Sequence, residues 1–567
     1  MALRRAHIIL WASLSGLLWA LAWPAIGGFS FLAFVAWLPL LHAERLHDKR
    51  LAGRKRAFTP YALLAVFIWN AACSWWFFEV SEPLGTRLVS GLAPMTLNAL
   101  FMLVPWWLKR VTRRIAGANV SALAFIAYWL AFERLHHDWD LQWPWFSIGN
   151  VFGTHPAWIQ WYEFTGMLGG SAWVLLVTMF LDRAIVRRTR DQRTAIANAS
   201  VAFGLLIVPL IGSYYRYDTI STGGGRAIEV VVVQPNIDPY TQKFGGMDPL
   251  AQLDRMLALA DSVMTDSTAL VVMPETALQE TATIDMTGDG PAYKGLWENG
   301  IDAARSTVRL RAFQKEHRRA ALLTGMSSDT LYGSDEERPT AARPLFSEDG
   351  LPPGAQRWYT SYNAALFLPA KGPLEIYHKS KLVAGVELMP FEGVLGQLAD
   401  LSIDLGGVSG SLGKQDDREV LVDESDSLRL VPAICYESVF GEHVAAHVRN
   451  GGNLIAVITN DAWWADSPGY RQHLTYSSIR AIETRRDVVR SANTGISCFV
   501  DRRGLIHQAS PWWVPTALRR TVQLNDDMTF FVQHGDLVGR LAVSVSGLLF
   551  VYLLVMRFRK PVLEHSR

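Results

Sequence analysis

Three polar residues stand where apolar, strand-like runs end. Glu275 closes ALVVMPE, Lys379 follows LEIYH, and Cys435 closes LRLVPAI. A carboxylate, an ammonium and a thiol are sufficient for nucleophilic acyl transfer. The carboxylate takes the thiol proton, the thiolate attacks a carbonyl carbon, and the ammonium stabilises the charge that develops on oxygen. Each residue also has a plain alternative. Glu275 can cap the next segment, Lys379 can be solvated surface, and Cys435 can be a buried packing residue. A cysteine between a strand and a helix would sit at an exposed corner, with the helix start favouring thiolate and oxyanion. The sequence predicts that helix over about 438–449.

The elements that must position these groups alternate in character. Strands are expected at 228–235, 269–274, 321–326, 362–369, 429–434, 453–459 and 495–500. Helices are expected at about 249–265, 301–318, 438–449 and 470–486. This alternation marks an α/β domain. The polar stretches 281–298 and 328–358 read as loops or insertions. With 383–420 they are the candidates for a mobile lid, and GGVSGSLGK at 406–414 reads as an ordinary loop.

The remainder is apolar. Half of the 567 residues are hydrophobic, 22 are Trp and only 19% are charged, below the usual share for a soluble protein. Runs of about membrane-spanning length lie at 7–26, 28–43, 59–80, 86–108, 119–135, 168–183, 198–216 and about 537–557. The first also has the look of a signal peptide, but a second apolar run follows at once and favours retention. Basic residues crowd alternate loops: Arg45 to Arg56, Lys109 to Arg114, Arg187 to Arg193, and Arg557 to Lys560, while 135–166 has no Lys or Arg. By the positive-inside rule both termini are cytoplasmic and everything from about 217 to 536 lies on the far side. The Trp-rich loop 135–166 reads as an interfacial aromatic belt, and WPWFSIGN at 143–150 as a possible lip beside a lipid-facing site. Cys73 and Cys498 read as core residues, and no CxxC pair suggests zinc or a disulfide framework. The histidines lack ligand spacing, so no metal or cofactor is expected.

PET at 274–276, YHKSKL at 377–382 and CYES at 435–438 resemble the nitrilase superfamily, whose members use a Glu–Lys–Cys triad on an αββα sandwich. VQPNI at 233–237, GVE at 385–387, NDAWWADSPGYRQH at 460–473, RAIETRR at 480–486, RSANTGISCFVDRRG at 490–504 and WPW at 143–145 resemble the bacterial apolipoprotein N-acyltransferases. The resemblance implies eight transmembrane helices joined to an α/β nitrilase-like αββα sandwich. It divides the chain into 1–220 (membrane helices one to seven), 221–530 (extracytoplasmic catalytic domain) and 531–567 (last helix and cytoplasmic tail). It makes Glu275 the base, Lys379 the oxyanion stabiliser and Cys435 the nucleophile. Glu387, Tyr436 and Glu437 would support them, the Tyr436 N–H by holding the oxyanion. Trp145, Phe244 and Trp463 would contact substrate. The implied activity takes an acyl chain from a membrane phospholipid, through a thioester on Cys435, to the N-terminal amine of a diacylglyceryl apolipoprotein. The location would be the bacterial inner membrane with the catalytic domain periplasmic, and no nucleic-acid partner is expected. The rival is a membrane-tethered amidase that gives its acyl-enzyme to water. Two positions depart from the resemblance. The family often has V-P-F-G-E where this chain has Val383 to Glu387, and Lys-Trp where this chain has Lys243-Phe244.

Overall fold

A computed structural model describes residues 2–50, 57–80, 83–243, 246–285, 292–333, 336–345, 357–391 and 411–558. The chain divides into two units. One comprises Met1–Phe78, Arg87–Thr219 and His534–Arg567; the other comprises Glu79–Thr86 and Ile220–Gln533.

The first unit is helical. Among the described residues six stretches are long and apolar enough to cross a membrane: Arg5–Ala22, Thr59–Glu79, Leu84–Leu135, Met167–Arg187, Gln192–Thr219 and Leu537–Phe558. The expected eight spans differ from these in two ways. The runs at 86–108 and 119–135 belong to one long stretch, folded back on itself where Gly117 takes φ 86°. Ser121 Oγ then reaches the Lys109 carbonyl at 2.7 Å, and the Tyr128 and Thr112 hydroxyls meet at 3.0 Å. The run at 28–43 forms no continuous helix. It breaks into Ser30–Leu32, Ala33–Ala36 and Leu38–Arg50, with Trp37 between the last two. Pro39 has no N–H to return to Val35, so the Val35 carbonyl is capped by the N–H of Trp37 instead.

Tryptophan fills this unit's core. Trp19 stacks on Trp69 at 4.6 Å, and Trp37 meets Trp106 and Trp129 edge-on at 5.4 and 5.1 Å. Such pairs combine large apolar area with quadrupole complementarity. The loop after Leu135 is drawn inward as well. Three short 3₁₀ turns, Pro144–Phe146, Ile148–Phe152 and Pro156–Trp158, carry buried Trp145, Phe146, Val151 and Phe152. The aromatic-belt and lip readings therefore fail for Trp145, whose ring is 1% exposed and packs between Trp143 and Trp76.

The second unit has four layers. Its strands are β1 (Ala227–Gln234), β2 (Thr268–Val272), β3 (Thr283–Asp285), β4 (Ala292–Lys294), β5 (Ala321–Tyr332), β6 (Arg343–Leu345), β7 (Arg357–Leu368), β8 (Glu375–His378), β9 (Leu421–Asp423), β10 (Leu428–Ile434), β11 (Leu454–Thr459), β12 (Val488–Ala492), β13 (Cys498–Val500), β14 (Ile506–His507) and β15 (Thr516–Gln523). One sheet runs β15-β1-β2-β5-β7-β6, with β8 added to β7; a second runs β14-β13-β12-β11-β10-β9; β3 and β4 form a small hairpin. The β1-β2-β5 and β10-β11-β12 groups are parallel.

Alternation along the strands builds three cores. Val230, Val232, Leu270 and Val272 face Leu430, Ile434, Leu454 and Ile458 between the two sheets. Their neighbours Val231, Val233 and Val271 turn outward onto Leu253, Met256 and Leu257 of helix Pro249–Asp261 and Leu310 of helix Arg305–Glu316. On the other side Val431, Ala433, Ile455 and Val457 meet Val444 and Val448 of helix Gly441–Arg449 and Ala481 of helix Pro468–Thr484. Helices, sheet, sheet, helices: this is the expected αββα sandwich. Strands buried on both faces explain why their sequences are apolar throughout rather than alternating with polar residues. The polar stretch at 328–358, expected to be loop, includes the end of β5, all of β6 and the start of β7. Its inter-strand bonds continue from Leu331↔Tyr359 to Tyr332↔Trp358.

Candidate active site

The carboxyl ends of parallel strands are where α/β folds collect functional groups. Glu275 lies three residues beyond β2, Lys379 directly follows β8, and Cys435 directly follows β10. Lys379 is 1% exposed, and its ammonium lies 3.2 Å from Glu275 Oε1 and 2.8 Å from Glu387 Oε1. Asn363 of β7 donates its amide to the same two oxygens, at 2.8 and 2.9 Å, and its carbonyl takes the Lys379 N–H at 2.9 Å. The other Glu275 oxygen accepts the Asn460 N–H at 3.0 Å. Burying an ammonium costs several kcal/mol unless it is paired and bonded. Here burial opposes the Lys379 charge, but Glu275, Glu387 and Cys435 outweigh it and hold its pKa well above the ordinary lysine value.

Cys435 takes φ 51°, the left-handed region that non-glycine residues avoid, as a nucleophile on a sharp turn does. Its sulfur lies within electrostatic reach of both Glu275 and Lys379. Burial pushes the thiol pKa up and the Glu275 carboxylate adds to this; Lys379 and a hydrogen bond with Thr459 offset only part. The sulfur thus rests as the thiol. The expectation of a thiolate favoured by a helix start is not met. Cys435 opens a five-residue 3₁₀ turn, Cys435–Val439, and the α-helix begins only at Gly441.

Glu437 joins two of the turns. Its Oε1 accepts Tyr377 Oη at 2.8 Å and the Ser380 N–H at 2.6 Å, while Oε2 accepts the Ile434 N–H at 2.8 Å. Burial alone would raise its pKa; His443 beside it and the N–H groups of Ile434 and Ser380 lower it to about 2. Its carboxylate therefore positions the lysine and cysteine turns, and is not an oxyanion donor. Tyr436 is buried, with its ring edge-on to Phe440 at 5.0 Å.

The altered segment Val383 to Glu387 still delivers its acid. Gly385, at φ 80°, donates to the Leu388 carbonyl at 2.8 Å, and the Val383 N–H bonds Glu387 Oε2 at 2.9 Å. A tight self-closed turn thereby aims Glu387 at Lys379. Of the expected substrate contacts, Trp463 is half-buried on the 3₁₀ turn Asp461–Trp464, edge-on to Tyr240 at 5.4 Å. Trp145 belongs to the other unit, and Phe244 lies outside the described residues.

Two family models match this sequence. Residues 15–180 match the apolipoprotein N-acyltransferase N-terminal domain, and residues 336–526 match the carbon-nitrogen hydrolase domain. The apolipoprotein N-acyltransferase of Chlorobaculum tepidum is 28% identical over 547 residues, covering 94% of each chain. That of Geobacter metallireducens is 27% identical over 574 residues, covering 99% of this chain and 97% of its own. Over nearly its whole length the chain is similar to apolipoprotein N-acyltransferases. An amidase structure from Nesterenkonia sp. is 16% identical with a TM-score of 0.33, covering 55% of this chain and 96% of that one.

Several residues of the site escaped sequence reasoning. Asn363 sits inside YNAALFLP, and Asn460 opens a motif noted only for its resemblance. Asn493 holds three strand ends together: its amide bonds the Ile237 carbonyl at 2.6 Å and Asn460 Oδ1 at 3.0 Å, and its own carbonyl accepts the Asn236 N–H at 2.8 Å. Lys243 donates to the Glu275 carbonyl at 3.0 Å and to Thr276 Oγ1 at 2.5 Å. Burial lowers its pKa to about 7, against the opposing pull of Glu275. It lines a polar cavity of about 570 Å³ with Asp248, Glu280, Ser328 and Asp329. The available signal was a polar residue at the end of each apolar run, in a fold that collects strand ends. Among the described residues no group of three or more His, Cys, Asp or Glu is placed to hold a metal ion.

Proposed function

We propose that the protein transfers a fatty acyl chain from a membrane phospholipid to the N-terminal α-amino group of diacylglyceryl-cysteine on apolipoproteins, by way of a thioester on Cys435. Glu275 takes the thiol proton as sulfur attacks the ester carbonyl. The Lys379 ammonium and the Tyr436 N–H hold the resulting oxyanion. Collapse breaks the ester C–O bond, and Glu275 returns the proton to the departing lysophospholipid. The acceptor amine, neutral when it attacks, then adds to the thioester. Glu275 removes its proton, the C–S bond breaks, and the thiol is restored. Glu387 keeps Lys379 charged and in place. The basic loops support a periplasmic catalytic unit with both termini cytoplasmic.

The observation that carries this reading is the Lys379 ammonium, clamped by Glu275 and Glu387 while Cys435 feels both the Lys379 and the Glu275 charge. Mass spectrometry of protein taken from membranes tests it. A fatty acyl adduct on Cys435 that moves to a lipopeptide amine is the expected result. An adduct lost to water regardless of acceptor would favour the amidase, and an adduct elsewhere would remove Cys435 from the reaction.

A further inference from the structure

The Cys435 backbone is held from behind by a buried side-chain chain outside the triad. Cys435 uses its left-handed φ without the freedom of glycine, a strained conformation that persists only where surroundings enforce it. Two groups grip its carbonyl. Ser438 Oγ donates to it at 2.7 Å, and His473 Nε2 lies 3.1 Å away. His473 and Ser438 also meet, at 3.0 Å.

His473 is in turn held on its other nitrogen. Nδ1 lies 2.9 Å from Asp461 Oδ1, and Asp461 Oδ2 takes Arg490 Nη2 at 2.7 Å. Thr459 Oγ1 donates to Asp461 Oδ1 at 2.9 Å, fixing the carboxylate against the end of β11. All three of Asp461, His473 and Arg490 are 0% exposed. Gly495 is required beside them, since a Cβ there would stand 2.5 Å from Asp461 Oδ2. The Cys435 carbonyl and the Asp461 carboxylate both only accept, so holding the two at once requires a proton on each ring nitrogen of His473.

We propose that His473, braced by Asp461 and Arg490, is a positioning residue that fixes the Cys435 carbonyl and so holds the thiol in line for acyl transfer. His473 sits on helix Pro468–Thr484, Asp461 follows β11 and Arg490 lies in β12. The brace therefore transmits the rigidity of the second sheet to the nucleophile turn. It acts on the orientation of sulfur, not on lipid affinity. Misplacing a reacting atom costs rate even when the ligand still binds. This inference rests on Cys435 being the acyl acceptor of the first half-reaction.

The test is single-turnover acylation of the full-length protein in phospholipid micelles, with the Cys435 adduct followed by mass. His473→Leu is expected to slow acylation about tenfold, the rate equivalent of one lost buried hydrogen bond, with lipid KM within about twofold. His473→Gln, which keeps an N–H able to reach the carbonyl, is expected to recover to within about threefold of the wild type. Where His473→Leu gives no melting transition, His473→Asn, polar but too short to span the gap, takes its place with the same expected loss. A wild-type rate in a folded Leu or Asn variant overturns the proposal. So does a Gln variant as slow as Leu, or a loss confined to KM. Absence of any Cys435 adduct in the wild type would instead overturn the proposed reaction.

Discussion

The Glu437 carboxylate accepts the backbone N–H of Ser380 at 2.6 Å, and this bond ties the turn that carries Cys435 to the turn that carries Lys379. The two turns lie 57 residues apart in sequence. Replacing the acid by Glu437→Gln puts an amide NH₂ among groups that donate, leaving a buried N–H without an acceptor. A loss on the order of 2–3 kcal/mol is expected, seen as a lower thermal midpoint, together with slower acylation.

The same residue sets an acid limit. Glu437 titrates at about 2 when folded against 4.5 ordinarily, so the folded state binds fewer protons between those values. Its contribution, on the order of 3 kcal/mol, is fully present above about pH 4.5 and is lost as pH falls toward 2. The thermal midpoint of the wild type should therefore drop more steeply than that of Glu437→Gln over that window. Parallel curves would remove Glu437 as the acid-sensitive bond.

Glu275 raises the thiol pKa at rest yet is the proposed base during attack, and these two effects separate in one variant. Glu275→Gln removes the carboxylate charge beside sulfur. Alkylation of Cys435 by iodoacetamide at pH 8 should then become faster, because more thiolate is present. Acyl transfer should fall by about two to four orders of magnitude, since no base takes the proton. Alkylation and transfer falling together would show that the carboxylate does not face the sulfur.

Much of this site was legible because its charged groups sit in short motifs at the ends of apolar runs. The strand-end positions of Glu275, Lys379 and Cys435 follow from the apolar runs that precede them, whereas the αββα layering came only with the nitrilase resemblance. What could not be read came from distant chain. Asn363 meets Glu275 across 88 residues, and Asn460 contributes a backbone N–H that no side-chain motif encodes. The helix expected from 438 begins only at Gly441, because the left-handed φ of Cys435 sends the chain into a 3₁₀ turn first. Hydropathy likewise measured the 28–43 run correctly and missed its break, since one proline hardly changes a window average. The Trp-rich loop 135–166 was read from composition alone, which does not distinguish a ring at a lipid interface from one buried among other tryptophans.

Gly385 gives a test of the altered acidic turn. Its φ of 80° disfavours a side chain, while a Cβ there would meet nothing within 4 Å. Gly385→Ala is therefore strained without a clash, at a cost of about 1 kcal/mol. The turn that aims Glu387 at Lys379 should loosen, slowing acylation a few-fold with little change in lipid KM. Gly385→Asn, which tolerates the left-handed region better, should lie between Ala and the wild type. Equal rates for all three would show that the turn places Glu387 without help from Gly385.

Lys243 offers a stability test of the opposite pH sign. Burial holds its amine at about 7, below the 10.5 of a free lysine, so between those values the unfolded chain binds more protons than the folded one. Stability from this group must rise with pH across that window, as the unfolded chain gives up the proton that the folded site already lacks. Lys243→Met removes the titration along with two hydrogen bonds to Glu275 and Thr276. The difference in thermal midpoint between wild type and Lys243→Met should accordingly move in favour of the wild type from pH 7 to 10. A difference independent of pH would mean that Lys243 stays charged in the folded protein, with the Glu275 carboxylate outweighing burial.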